Sequence, residues 1–253
     1  MRGSAERFWI LLIASVSLSA SAEQFRLPKH PPPALFGKVL IQRLTAVGAV
    51  KPVSFSHATH RVRYTCRVCH LELDFAFKRN GTEITEEANR KGFYCGACHN
   101  GRIAFGHTEE NCARCHTGTL EDGVDDLAKV RDLPTVKFGN GVDWSAAVKR
   151  GDIKPVSSLS GDYHPLQLNT TLSLESDWNF VPPATFPHAE HVLWLDCANC
   201  HPAIFNVKKK GTQHFSMLNS LAGEFCGVCH VRVAFPLDDC LRCHPTMTDR
   251  PFQ

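Results

Sequence analysis

Twelve cysteines fall into six pairs, each pair separated by two residues and followed at once by histidine. The pairs are Cys66/Cys69-His70, Cys95/Cys98-His99, Cys112/Cys115-His116, Cys197/Cys200-His201, Cys226/Cys229-His230 and Cys240/Cys243-His244. Histidines scattered at their overall frequency would produce six such placements with a probability on the order of 10⁻⁸, so the pattern is chemical. Two thiols about one turn apart can add to the two vinyl groups on one edge of a haem, and the next residue then lies beneath the iron as its proximal ligand. Zinc ribbons use paired cysteines but have no need of a histidine directly after each pair. Disulfides leave the repeated histidine idle, and redox-active CxxC of the thioredoxin type occurs once or twice in a chain. The expected cofactor is therefore haem c, six per chain and covalently bound.

Eight histidines remain for the other side of the irons: His30, His57, His60, His107, His164, His188, His191 and His214. Beyond the leader only Met217 and Met247 are available as thioethers, so at most two irons can be His/Met. A shift of 131 positions superposes His57 on His188, His60 on His191, Cys66 on Cys197 and Cys95 on Cys226, so the chain is two copies of a three-site unit. Phe55-Ser56-His57-Ala58-Thr59-His60 answers to Phe186-Pro187-His188-Ala189-Glu190-His191, and Ala104-Phe105 to Ala234-Phe235.

The Phe-x-His-x-x-His segment ahead of each first site, the Cys-Gly-x-Cys-His of each second site and the following Ala-Phe resemble the cytochrome c7 (triheme, class III) family. The resemblance covers most of residues 51–118 and 182–246. It implies that His57 serves the haem at His70 and that His60 reaches across to the one at His99, with His188 and His191 doing likewise for His201 and His230. For the third haem of each unit it implies a ligand from the segment before the second site. In the second copy that segment holds both His214 and Met217, with Met217 favoured for His244. In the first copy Glu86 stands where Met217 would align and no histidine is present, which departs from the family pattern. His107 is the nearest substitute for the haem at His116, with His164 and His30 behind it, and an empty sixth position is also open. Met247, in a short polar tail, reads as structural.

These sites need little regular structure around them. The expected fold is mostly irregular with short α-helices, a multihaem c-type cytochrome fold with a haem-dominated core and two tandem cytochrome c7-like modules. About 39 mature residues per haem leave the macrocycles to form most of the apolar interior. Residues 1–22 read as a cleaved signal peptide: Arg2 and Arg7, an apolar stretch from Phe8 to Leu18, then Ala20-Ser21-Ala22. Module 1 is expected at 23–120, an acidic linker at 121–134, and module 2 at 135–253 with an inserted loop or lid at 157–181. Phe36-Gly37 with Lys51-Pro52-Val53, and Phe138-Gly139 with Lys154-Pro155-Val156, read as matching lead-ins. Lys38 to Val47 and Val142 to Lys149 are expected as short helices, and short turns of helix are expected behind the attachment cysteines.

Lys+Arg 28 against Asp+Glu 25 gives no basic excess of the kind nucleic acid would require. Removing Arg2, Arg7 and Glu6 with the leader leaves 26 against 24, a formal +2. Six ferric haems with ionised propionates take that to about −4, and full reduction to about −10. No apolar run reaches the length of a membrane span, so the mature chain has no expected transmembrane segment. The sequence reads as a periplasmic, or outer-surface, hexahaem carrier of electrons between redox proteins, with docking to a membrane electron-transfer complex a further expectation. It is not an enzyme on this reading, and its site residues are ligands rather than catalytic acids or bases. Two rivals stay open: an oxidoreductase with a five-coordinate haem, and a subunit of an outer-membrane or extracellular conduit.

Overall fold

The computed structural model describes residues 29–45, 48, 50–122, 127–206 and 214–248. The expected signal peptide at 1–22, residues 123–126 of the expected linker and the C-terminal five residues lie outside these.

Each module opens with a two-stranded antiparallel ribbon that runs straight into a five-residue helix. In the first, β1 (Lys38–Ile41) pairs with β2 (Val53–Ser56), Lys38 opposite Ser56, and β2 leads into α1 (His57–Arg61). In the second, β3 (Thr171–Leu174) pairs with β4 (Ala184–Pro187), Thr171 opposite Pro187, and α5 (His188–Val192) follows. Between α1 and α5 in the chain come α2 (Glu86–Arg90), α3 (Cys112–Cys115) and α4 (Trp144–Arg150). After α5 come α6 (Cys197–Cys200), α7 (Met217–Leu221), α8 (Gly227–His230) and α9 (Cys240–Cys243).

The expected helix at 38–47 is instead β1 over its first four residues. Val39, Leu40 and Ile41 favour an extended chain, and pairing with β2 outweighs whatever helical pattern the segment has. Residues 46 and 47 lie outside the described part. The helix expected at 142–149 forms as α4. Asp143 caps it by accepting from the Ala146 amide at 3.0 Å, and Gly151 ends it in the left-handed region at φ 77°.

The two lead-ins are not equivalent in space. Gly37 precedes β1, but the residue in its place before β3 is Thr170, inside the segment expected as an irregular insertion, while Gly139 packs against Phe36 and Pro236. Residues 154–160 run along the first attachment segment of module 1. Thr65 N–H donates to the Val156 carbonyl at 3.0 Å, Val156 N–H to Arg63 at 2.8 Å, and Leu159 N–H to a Glu72 carboxylate oxygen at 2.8 Å. Arg67 ties the halves together. Its amide donates to Trp194 at 3.0 Å and its side chain to Ser157 at 2.9 Å; it also pairs with Glu72 and Asp196 and lies over the Tyr163 ring at 3.7 Å.

The repeat is faithful down to backbone detail around each second site. Tyr94 and Phe225 both sit in the left-handed region, at φ 49° and 48°, and Gly92 and Gly223 both turn the chain ahead of them. A Cβ on Gly96 would lie 1.8 Å from the Asn89 carbonyl oxygen, and one on Gly227 1.8 Å from that of Ser220. The end of α2 or α7 thus presses directly on the attachment turn, which is why Cys-Gly-x-Cys-His recurs at these two sites and not at the other four.

Among the described residues nine aliphatic or aromatic side chains and Pro236 are buried, and seven of these ten are no larger than valine. Such a set does not make a core for a chain of this size. The interior faces are lined instead by histidine, cysteine and phenylalanine.

Candidate haem-binding sites

Short helical turns present each cysteine pair. α3, α6 and α9 coincide with Cys112–Cys115, Cys197–Cys200 and Cys240–Cys243. The Cys69 site lies on a π-helical turn (Val68–Glu72), the Cys95 site on a 3₁₀ turn (Tyr94–Ala97) and the Cys229 site on α8. At five sites the histidine amide donates to the carbonyl of the first cysteine at 2.8–3.0 Å, so one turn of backbone sets sulfur, sulfur and imidazole on the same side. All twelve sulfurs are unbridged thiols. Among the described residues no three His, Cys, Asp or Glu side chains converge as a metal-ion site, so the pairs are not arranged as zinc ribbons. Burial pushes the Cys69, Cys226 and Cys229 thiols up to about 12 and those of Cys95 and Cys243 to about 11, because their sulfurs face inward. Cys112 and Cys197 are exposed.

Cys98, unlike the second cysteines of α3, α6 and α9, lies outside its turn. The 3₁₀ turn ends at Ala97, and Cys98 caps it from outside, its amide donating to the Cys95 carbonyl at 3.2 Å. The chain breaks there because the Cys98 carbonyl is taken by the amides of Asn100 and Ala104, both at 3.0 Å, which fold the following loop back on the site. The half-buried Cys98 thiol bears electrostatically on the Tyr64 side chain, a neighbour that spacing alone gives no hint of. Burial, reinforced by this thiol, pushes the Tyr64 phenol above its usual range, so the phenol stays protonated.

All six histidines of the motifs hold Nδ1 against a backbone carbonyl. His70 uses Phe75 (2.7 Å), His99 Phe105 (3.2 Å), His201 Phe205 (2.8 Å) and His230 Phe235 (2.9 Å); His116 uses Lys51 (2.6 Å) and His244 Pro182 (2.7 Å). A carbonyl only accepts, so Nδ1 carries the proton and Nε2 keeps its lone pair for a metal. Burial drives His230 down to about 4, which keeps the imidazole neutral. The phenylalanine four to six residues after the histidine is thus a working part of four sites. Its signal is present in the sequence, as Phe75, Phe105, Phe205 and Phe235, although the motif reading covers only the Ala-Phe of the second sites. The rings help as well: Phe105 and Phe235 each lie 4.4 Å from the histidine they anchor, and Phe77 stacks on His70 at 4.3 Å.

The Phe-x-His-x-x-His segments behave alike in the two modules. His57 and His60 bind the carbonyls of Gly37 (2.7 Å) and Ser56 (2.8 Å), while His188 and His191 bind those of Thr170 (3.2 Å) and Pro187 (2.9 Å). Phe55 stands edge-on to His57 at 4.9 Å and lies against His60 at 4.5 Å; Phe186 does the same at 4.9 and 4.1 Å. One ring therefore splays two imidazoles from a single short helix in two directions. Burial, with the Arg61 charge adding to it, lowers His57 to about 3.

The pairs that face each other have the spacing an iron requires. Ring centroids of His57 and His70 are 6.5 Å apart with planes at 8°, those of His60 and His99 6.1 Å apart at 56°, and those of His191 and His230 6.2 Å apart at 63°. Two metal–imidazole bonds of about 2 Å plus two ring radii of about 1.1 Å separate centroids by about 6.2 Å. The residues fit haem c on three independent features: unbridged sulfurs (ten of the twelve on part-buried cysteines), Nδ1-anchored imidazoles and gaps of iron-bridging width. When bound, haem c supplies one-electron exchange at iron.

The remaining candidates are placed differently. Met217 is half-buried at the start of α7, where its amide donates to Asp177 at 3.3 Å, and its counterpart Glu86 points outward in an ion pair with Arg90. His214 is exposed with φ 55°, its carbonyl taken by Asn219. His107 bears electrostatically on His99, and its carbonyl accepts from Arg90 at 3.4 Å. His164 is exposed in the insertion, and His30 turns its Nε2 to Asp238 at 3.3 Å, beside the attachment site at Cys240 rather than the one at Cys112. Two features lay beyond sequence reasoning: the carbonyls of Gly37, Thr170, Lys51 and Pro182, which are distant in the chain from the histidines they orient, and Arg61.

The model of the family cytochrome c7 and related cytochrome c matches residues 53–117 and 184–245, together half of the chain. Among solved structures, the C-terminal hexahaem fragment of GSU1996 is 28% identical, covering 85% of this chain and 99% of that one, with a TM-score of 0.28. A c7-type three-haem cytochrome domain is 36% identical over 34% of this chain and 94% of that one, with a TM-score of 0.28. The dodecahaem cytochrome c GSU1996 is 26% identical over 79% of this chain and 72% of that one, with a TM-score of 0.29. No curated protein matches the chain.

Proposed function

Because this chain belongs to the family of cytochrome c7 and related cytochrome c, whose business is electron transfer by covalently bound haem c, we propose that it is a hexahaem electron carrier working outside the cytoplasm, periplasmic or at the cell surface, between redox protein partners. The observation that carries the reading is the shared posture of ten histidines, the six of the attachment motifs and the four of the two Phe-x-His-x-x-His segments. Each sets Nδ1 against a main-chain carbonyl, His188 with the Thr170 hydroxyl also at 3.1 Å. On this reading His57 and His70, His60 and His99, His188 and His201, and His191 and His230 ligate four irons, while His116 and His244 each hold one iron from one side.

The chain's own residues do three things here. The cysteine turns fix one edge of each cofactor. The carbonyls fix the rotation of each imidazole and favour the tautomer protonated at Nδ1. The short helices α1 and α5 each place two imidazoles for two neighbouring irons and thereby set the spacing inside a module. Met217, half-buried at the start of α7, is the partner we assign to His244. A thioether there favours Fe(II) and makes that site higher in potential than its bis-histidine neighbours. No helix among the described residues is long and apolar enough to cross a membrane, in keeping with a carrier that meets its partners by docking.

The test is expression of the full chain in a bacterium competent for c-type maturation. Intact mass and pyridine haemochrome should return six haems per chain, the pigment should fractionate outside the cytoplasm, and a redox titration should spread over several one-electron couples. Fewer than six haems, or a cytoplasmic holoprotein, overturns the reading.

A further inference from the structure

Arg61 closes α1 directly after His60, and the 131-residue shift puts Val192 in its place in the second module, so this cation is not part of the repeat. Its guanidinium carbon lies 5.0 Å from the centre of the Trp144 ring and 5.8 Å from that of Trp194, and Nη2 donates to the Val233 carbonyl at 3.2 Å. All three partners come from the other half of the chain. Among the described residues no carboxylate pairs with it. A guanidinium taken out of water without a counter-charge is costly, and two indole faces with one carbonyl compensate only in part. Burial accordingly lowers its pKa, though not far enough to discharge an arginine. A retained positive charge in such a place acts on whatever faces it. Arg61 shares α1 with His57 on one side, and on the other its Nη2 reaches the carbonyl of Val233, three residues past His230. The remaining cation near this cluster is Arg242, which acts on His230 and pairs with Asp239 at 2.7 Å, so its charge is largely compensated.

We propose that Arg61 is a positioning residue of the module junction: a fixed cation with no side-chain counter-charge, held between the helix that carries His57 and the segment that follows His230, that raises the reduction potentials of the sites of His70 and His230. The physical ground is that a nearby positive charge stabilises the state with one more electron, and that in a medium of effective dielectric about 20 one unit charge shifts such an equilibrium by roughly tenfold. The inference rests on the haem assignment above. A wild-type chain without six haems would sink that assignment, whereas unmoved potentials in a fully loaded variant would sink this one alone.

The experiment compares wild type with Arg61→Gln, Arg61→Lys and Trp144→Leu as full-length holoproteins, each checked for six haems by intact mass, in optical redox titrations and thermal melts. For Arg61→Gln, two of the six couples should move to lower potential. Their reduced-to-oxidised ratio at a fixed applied potential should fall about tenfold, which is 59 mV for a one-electron couple. Arg61→Lys keeps the charge and should titrate within about twofold of wild type. Trp144→Leu removes one face of the clamp and should lower the melting temperature while leaving the potentials in place. A loaded Arg61→Gln protein that titrates like wild type overturns the proposal and leaves Arg61 as a structural clamp. If Arg61→Gln fails to mature, Arg61→Lys decides: a fall in potential with the charge still present overturns it, and an unmoved curve supports it.

Discussion

Replacing His60 with alanine separates two ways of wiring the first module. His60 is only three residues from His57, yet its ring faces His99 at 6.1 Å while His57 faces His70 at 6.5 Å. If each imidazole serves the iron it faces, His60→Ala opens one position, on the iron at His99. The local packing loss is the Phe55 contact, worth about 0.5–1.5 kcal/mol. That is small beside a domain stability of about 5–15 kcal/mol, so the fold survives and the ligation change is what is read. The variant should bind one more equivalent of carbon monoxide per chain than wild type when reduced. When oxidised it should show one sixth of its iron converted from low to high spin. The loss should fall on the population with crossed ligand planes, since His60 and His99 meet at 56°, and spare the near-parallel pair at 8°. His57→Ala should also add one equivalent but remove the parallel-plane signal, and the double variant should add two. No gain in carbon monoxide binding, a gain of two from His60→Ala alone, or loss of the parallel signal in that variant would refute the wiring.

Gly96→Ala places a methyl 1.8 Å from the Asn89 carbonyl, where contacts below 3.0 Å do not occur. Something must therefore give by more than an ångström, at a cost of about 3 kcal/mol or more, and the measured outcome should be a chain short of one haem by intact mass, with Gly227→Ala doing the same at the other module. Full loading and an unchanged melting temperature in both would contradict the packing described. Arg67→Ala removes a half-buried guanidinium that joins Glu72, Asp196, the Ser157 carbonyl and the Tyr163 ring across the two halves. It should cost about 2–4 kcal/mol in urea unfolding while leaving all six haems attached, and a loss under about 0.5 kcal/mol would show that the junction is held elsewhere.

The parts legible in the sequence are those whose chemistry is local. A cysteine pair and its histidine are neighbours in the chain, so the attachment motifs, the duplication and the Phe-x-His-x-x-His ligand segments are legible in the sequence, whereas the short helices α1 and α5 that carry those segments are not. Nor is the strand at Lys38–Ile41, because its conformation is decided by Val53–Ser56, a dozen or more residues on. The lead-in match misled for a related reason. Phe138-Gly139 copies the letters of Phe36-Gly37, but the role of Gly37 is to offer a carbonyl to His57. Any residue can offer a carbonyl, and Thr170 does so for His188. Backbone acceptors leave no trace in residue type, so Lys51 and Pro182 were equally silent. Arg61 was hidden because its meaning lies in Trp144 and Trp194, both far away in sequence, and the Tyr64 neighbour of Cys98 was hidden in the same way.

The two imidazoles on α1 have an outcome for how such proteins grow. A helix of barely more than one turn, braced by a single phenyl ring, acts as a yoke between adjacent redox centres, so thermal breathing of the surrounding loops carries both together and alters the gap little. Copying the whole unit therefore transmits a finished spacing to the daughter copy. Only the seam between copies has to be invented anew, and in this chain the seam is where the non-repeated arginine stands.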